Sequence, residues 1–447
     1  MHFRSLNIWL VAGVLGISAC APHAIESNPS PGIIAPAQFT MSGTGQSTGT
    51  RWYDAFHDQT LNGLIETAFI SNLDVQQARA RLLQAGFLTD ALSAGRLPQL
   101  GATAQGQVQK IEGDDRTDVA GIGAALNWEI DAFNRIGNQI TASKYEEEAA
   151  RADIEAVRLS LSAEMAEAYF NAIADKARLK LLRLQSESDN KSLDLIRQRH
   201  DAGIGTQVEV LQQQSVLADT EALIPVAEAS LRMFENRLDV LTGAAPDGTD
   251  RVTQDDFTTI GDVPPVGVPS DLLLKRPDLL ALKNRLVAQD AEIGAAIADR
   301  LPHITLSGTT LLSSGGSGYA ASAVAALVQP LLDWGARKAE VERNKALYQE
   351  YLAAFTQAYL SAIEDVENTL YREQKQRDYI RLLEVRRGLL SNTLDAANAV
   401  YRSGESDYLP VLTAVRDLHS VERELVTQRL NLVLYRIRLH RALGGSL

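Results

Sequence analysis

One passage of this 447-residue chain is written twice. "RHDAGIGTQVEVL" (199–211) returns as "VYRSGESDYLPVL" (400–412), and with Gly203 set on Gly404 the offset stays at 201 for the next forty residues. Val210 falls on Val411, Leu231 on Leu432 and Gly243 on Gly444. Upstream, "RLPQLGATAQG" from Arg96 matches "RLPHITLSGTT" from Arg300, and Asp74 matches Asp278, both at an offset of 204. Between these stretches Asp131 aligns with Asp333 and Arg135 with Arg337 at 202. Two units of roughly 200 residues follow, and the fold must be one supersecondary pattern used twice.

Each unit changes period in the same order. A helical stretch comes first, about 61–95 and 270–300. Two strand-like segments follow. In the first copy Gln99, Thr103, Gln105, Gln107 and Gln109 alternate with Leu100, Ala102, Ala104, Gly106 and Val108. In the second, His303, Thr305, Ser307 and Thr309 alternate with Ile304, Leu306 and Gly308. A period of two marks a strand with unlike faces, and each segment has the ~9–11 residues of a tilted membrane strand. The partner segments lie near 119–129 and 319–329, across the polar links "IEGDDRT" and "SSGGSG". Periodicity alone fits an edge hairpin of a soluble sandwich equally well. A barrel needs at least ~8 strands, so four would close one only with help from other chains.

The strands give way to long helical stretches without proline, 137–200 and 336–401. At ~1.5 Å per residue each would run on the order of 100 Å. The returning stretch carries a heptad seam: Val411, Leu418, Leu425, Leu432 and Leu439 stand seven apart, with Ala414, Val421, Gln428, Tyr435 and Ala442 between. Val210, Leu217, Ile224, Leu231 and Leu238, with Gln213, Thr220, Ala227, Phe234 and Leu241, repeat it in register. An a/d seam of this kind packs as a coiled coil. "DAGIGT" and "RSGESD" then become the turns of two helical hairpins, with Gly203 and Gly404 just past the helix end, where a left-handed conformation suits glycine. Thr206 and Asp407 are placed to cap the next helix. Each return helix is too short for its partner; with the unit's first helix stacked on it, the lengths match. Pro225, opposite Val426, predicts a local distortion in one copy only.

The N-terminus reads as an export signal: Arg4, an apolar run from Ile8 to Ile17, then "ISAC". Ser18 and Ala19 before the single cysteine resemble a bacterial lipobox, which implies acylation of Cys20 as the first mature residue, and Ala21 after it suggests the outer membrane. One cysteine excludes an intrachain disulfide. Residues 21–50, rich in Pro, Ser, Gly and Thr, suggest a flexible tether. The expected organisation is a signal peptide (1–19), a lipidated tether (20–50), a first unit (51–245), a linker (246–269) and a second unit (270–447). After the leader no run of eighteen apolar residues exists, so membrane crossing falls to the strands.

"LLLKRPDLLALKNRLVAQDAEIGAAIADRLPHITLSG" (272–308), "LVQPLLDWGARKAEV" (327–341) and "YRSGESDYLPVLTAVRDL" (401–418) resemble the TolC-like outer membrane efflux proteins, especially the lipid-anchored kind that serve RND-type multidrug pumps. The resemblance implies a mainly α fold with a membrane β part: a homotrimer with one twelve-stranded β-barrel, four strands per chain, continuous with a coiled-coil tunnel reaching into the periplasm. It implies a lipid-anchored outer membrane location and, as partners, a periplasmic adaptor and an inner-membrane pump. Gly203, Thr206, Gly404 and Asp407 become adaptor-docking residues at the tip. Tyr401 stands at the family's tyrosine position and Glu209 at a carboxylate of the first hairpin, a candidate latch for the closed state. Family members often carry tip aspartates where this chain has Pro410 and Thr413, which leaves Asp407, one turn nearer the tip, as the substitute.

Other classes fit less well. A net charge of −13 without clustered Lys and Arg argues against nucleic acid. No HExxH or CxxC spacing is present and no GxSxG precedes a helix, so no enzyme, metal or cofactor is expected; His200 and His303 read as solvated or pore-lining. A conduit for type I protein secretion is the nearest alternative, and a periplasmic coiled-coil adaptor or scaffold lipoprotein is the alternative from another class.

Overall fold

The structure is a computed structural model and describes residues 23–41, 51–109, 117–257, 260–313 and 319–445. Cys20 and most of both strand links lie outside them. The helices are α1 (Gln59–Ser71), α2 (Leu73–Ala94), α3 (Arg135–Asp201), α4 (Gln207–Leu241), α5 (Pro277–Ala298), α6 (Ala336–Ser403) and α7 (Leu409–Ala442), with short helical turns at Trp52–Phe56, Pro269–Asp271 and Leu272–Lys275. The strands are β1 (Gln99–Gln109), β2 (Thr117–Ile130), β3 (His303–Ser313) and β4 (Tyr319–Val328). The chain forms two compact units: the described parts of Met1–Ile33, Ala78–Asp153 and Asp278–Ala358, and those of Ile34–Gln77, Ile154–Pro277 and Tyr359–Leu447.

The first unit holds one antiparallel sheet in the order β1-β2-β3-β4. Its register carries the alternation of β1 and β3 onto their neighbours, while β4 is largely apolar on both sides. Leu100 pairs with Leu126, Ala104 with Ile122, Ile122 with Leu312, Ile130 with Ile304 and Leu312 with Tyr319. The opposite face pairs Gln99 with Asn127, Asn127 with Ser307, Glu129 with Thr305 and Thr309 with Ser322. One face is therefore apolar and the other polar, and Leu100, Ile122, Leu312 and Tyr319 on the apolar side are exposed. Matched aspartates end the sheet in both copies: Asp131 accepts the N–H groups of Ile136 (3.0 Å) and Gly137 (2.7 Å), and Asp333 those of Gly335 (3.0 Å) and Arg337 (3.2 Å). Both cap the long helix that follows.

In the second unit Trp52, Tyr53 and Phe56 pack with Leu61 and Ile65 of α1, Tyr169 and Phe170 of α3, Leu238 of α4 and Ile437 of α7. Asp58 seats the first of these helices: it accepts N–H groups from Thr60 (2.9 Å) and Leu61 (3.1 Å), and the Tyr169 hydroxyl (2.8 Å). Every seam position of α4 and α7 is buried or half-buried. α4 continues unbroken through Pro225, which is exposed.

Two expectations need correction. The opening helix of each unit is not continuous. The first breaks at Asn72, whose Oδ1 accepts the Asp74 N–H (2.8 Å) while its Nδ2 donates to the Leu241 carbonyl (2.9 Å). The second breaks at Arg276, held extended before Pro277. Nor do residues 23–41 hang free. His23 Nε2 lies 2.8 Å from Asp290 Oδ1, the Glu26 N–H donates to Asp290 Oδ2 (2.7 Å), and Ile25 packs on Ala142, Ala288 and Ala291. In the other unit Phe39 is buried and the Thr40 N–H reaches Glu367 Oε1 (2.8 Å). A Pro- and Ser-rich composition hides these few anchoring side chains.

Candidate functional site at the helical turns

Both turns are closed by the same backbone pattern. At the end of α3 the Gly203 N–H donates to the His200 carbonyl (2.9 Å) and the Ile204 N–H to that of Arg199 (3.0 Å). At the end of α6 Gly404 donates to Tyr401 (3.2 Å) and Glu405 to Val400 (3.2 Å). This is a Schellman close, which requires a left-handed residue after the helix; Gly203 and Gly404 supply φ of 75° and 81°. The entries to the return helices differ. Thr206 caps α4 through its hydroxyl, which accepts the Glu209 N–H (3.3 Å). Asp407 accepts the Leu409 N–H (3.2 Å), but the residue flanking α7 is Tyr408, and Pro410 fills the first turn, where no N–H is needed.

Side chains tie the two hairpins together. The Tyr401 hydroxyl donates to Glu209 Oε2 (2.9 Å), while the Arg199 guanidinium stacks on the Tyr401 ring, 4.6 Å from its centre. Burial, then the bond to Glu209, pushes the Tyr401 phenol above its ordinary range. Tyr408 packs on Tyr401 with ring centres 5.3 Å apart, and its hydroxyl donates to Gln213 Oε1 (2.5 Å). Gln213 Nε2 donates to the Asp189 carbonyl (3.0 Å), and the Thr220 hydroxyl to Asp189 Oδ2 (2.9 Å). Leu193, Ile196, Val210, Val216, Val411 and Leu412 form the apolar cluster around these bonds.

The structure thus joins Tyr401 to Glu209 and leaves Gly203, Thr206, Gly404 and Asp407 exposed. His200 is exposed beside Asp201, and His303 lies on the polar sheet face, 3.4 Å from Glu129. Among the described residues no group of three His, Cys, Asp or Glu side chains is placed to hold a metal ion. Among them, no helix is long and apolar enough to cross a membrane. The sequence reading passed over Tyr408, Gln213, Thr220 and Asp189. Polar Gln213 and Thr220 inside an otherwise apolar seam were the available signal, since a buried polar side chain needs a partner.

The family model for outer membrane efflux proteins matches residues 64–244 and 268–445, one match to each sequence repeat. The chain belongs to the outer membrane efflux protein family. This efflux protein is 27% identical to the pyoverdine export outer membrane protein OpmQ of Pseudomonas aeruginosa, over 98% of this chain and 97% of that one. It is 26% identical to the cation efflux system protein CusC of Escherichia coli, over 93% and 94%. The solved outer-membrane channel OprN superposes with a TM-score of 0.89 at 28% identity, covering 96% of this chain and 99% of that one. The fold is TolC-like, helical for the most part with a small antiparallel sheet, and the protein is an outer membrane efflux channel component rather than an enzyme.

Proposed function

We propose that three copies of this efflux protein build one twelve-stranded outer membrane barrel on a helical tunnel, the exit duct of a tripartite pump. The observation that carries this reading is the four-stranded sheet, apolar on one face, in which β1 and β4 each pair on one side only among the described residues. Bare edges in a lipid-facing sheet leave backbone groups unsatisfied, so β4 of one copy must meet β1 of the next. Closure needs at least ~8 strands; the number three follows the family resemblance.

Three chains with two units each give a pseudo-sixfold tip. We assign Gly203, Thr206, Gly404 and Asp407 to docking of a periplasmic adaptor that is joined to an inner-membrane pump of RND type. Ile204, Val208, Leu211 and Leu409, all exposed beside these turns, supply apolar contact area. Tyr401 and Glu209 latch the closed tip, and an acyl group on Cys20 anchors the chain in outer membrane lipid. Cargo consists of small molecules selected upstream; relatives of near-equal identity are named for pyoverdine export and for cation efflux, which fits a duct that recognises cargo weakly.

Recording purified protein in planar bilayers tests the reading. Discrete current steps from a species that crosslinks to a trimer are expected. A monomer that passes no current would overturn it.

A further inference from the structure

Close to the turns, α3, α6 and α7 line a half-open cavity of about 360 Å³ within the second unit. Eight of its eighteen lining residues are leucine, isoleucine or valine, and its polar groups include Asp189, Glu422, Tyr401, Tyr408, His419 and Arg402. A pocket of this size, with an apolar wall facing convergent polar groups, can hold a small molecule.

Asp189 is the group that calls for an occupant. It is 1% exposed and lines the cavity, yet no arginine or lysine among the described residues is within ion-pair distance. Its ionic neighbour is the His419 ring, 3.7 Å away. That ring is no cation: burial, and then Arg423, push its pKa down to about 4. Arg423 donates to Gln185 Oε1 (3.0 Å) instead. Burial pushes the Asp189 carboxyl up, and the Thr220 and Gln213 side chains and the charge of Arg423, which makes no contact with it, only partly offset this. A buried carboxylate with no cation in contact is costly, and an entering cation lowers that cost.

We propose that this cavity binds an organic cation, with its charged head on Asp189 and its apolar body against the leucine wall and the Tyr401 and Tyr408 rings. The lining carries two carboxylates against one guanidinium, which disfavours an anion. Because Tyr401 also bonds Glu209, an occupant bears directly on the contact between the hairpins.

Calorimetric titration of the full-length protein in detergent with benzyltrimethylammonium provides the test. One saturable site per chain is expected, weakened at least tenfold by Asp189→Asn and unchanged by Asp219→Asn on an exposed face of α4. Benzyl alcohol and benzenesulfonate should bind at least tenfold more weakly. Ser188→Trp, at an exposed lining position, should block the cavity and weaken binding even where Asp189→Asn fails to fold. No saturable binding, equal affinity for benzenesulfonate, or full affinity in either lining variant would overturn the proposal.

Discussion

Tyr401 donates its hydroxyl hydrogen to Glu209 across 2.9 Å, so the last turn of α6 is bonded to the first turn of α4, although 192 residues separate them. Sequence neighbours hold each turn closed, but this bond joins one hairpin to the other. A single bond of this type contributes about 0.5–1.5 kcal/mol net. Tyr401→Phe and Glu209→Gln should each raise the probability of an open tip, and the double variant should add little to either. Open probability in planar bilayers reads this directly; additive effects would show that the two side chains act separately.

Tyr408 makes the deeper tie, being 3% exposed and bonded to Gln213, which is fully buried. Removing one partner of a buried bond costs about 1–3 kcal/mol because the other is left unsatisfied. Tyr408→Phe should therefore loosen the turns more than Tyr401→Phe. Hydrogen exchange of amides in 190–215 and 395–415 is the measurement; equal protection in the two variants would refute the ranking.

The difference between these two tyrosines shows what the sequence conveyed. A seven-residue repeat announces a seam because core packing repeats along a helix, and α4 and α7 bury or half-bury every position it named. The alternation of Gln99–Gln109 likewise became a strand, since one face of a sheet repeats every two residues. Tyr401 and Glu209 could be paired through the family resemblance. Asp189, by contrast, meets Gln213 and Thr220 only after α3 and α4 have folded back on one another, and single contacts between distant positions leave no period. The break at Asn72 was hidden for a similar reason: its amide bonds the carbonyl of Leu241, 169 residues away. His23 and Phe39 were masked by the Pro- and Ser-rich composition around them.

His440 is fully buried against Trp52, with ring centres 5.5 Å apart, and neither of its ring nitrogens has a hydrogen-bond partner. Burial, then Arg436, pushes its pKa down to about 3, and His419 stands at about 4. Both folded-state values lie below the ordinary 6.5, so the unfolded chain takes up protons first. Their contribution is complete above pH ~6.5 and is lost as pH falls towards 4 and then 3. His440→Leu should flatten the melting temperature profile over that range and leave neutral-pH stability equal or higher. An unchanged acid limb would show that other groups set it.

Gly404 sits at φ 81° with open space where a Cβ would go. Alanine there meets no neighbour, so its cost is backbone strain alone, roughly 1–2 kcal/mol for a left-handed residue. Gly404→Asn should recover most of that loss, because asparagine tolerates this region better. Chemical denaturation of the three proteins gives the order Gly, Asn, Ala; alanine matching glycine would mean that the turn relaxes at no cost.

Gly123 in β2 presents the opposite case. A Cβ there would lie 1.8 Å from the Thr310 carbonyl oxygen and 2.8 Å from its carbon, so the obstacle is the backbone of β3 itself. No rotamer change relieves such a contact; the strands must part, and the β2–β3 ladder is what joins the first repeat's strands to the second's. Gly101 in β1, at the same kind of position, has nothing within 4 Å. Gly123→Ala should sharply lower the yield of outer membrane channel, and Gly101→Ala should leave it near normal. Measuring membrane-inserted protein after urea extraction of the outer membrane separates the two. If Gly123→Ala inserts and conducts like the parent, β2 and β3 are not packed backbone to backbone at this point, and the polar face of the sheet must be wider than the register requires.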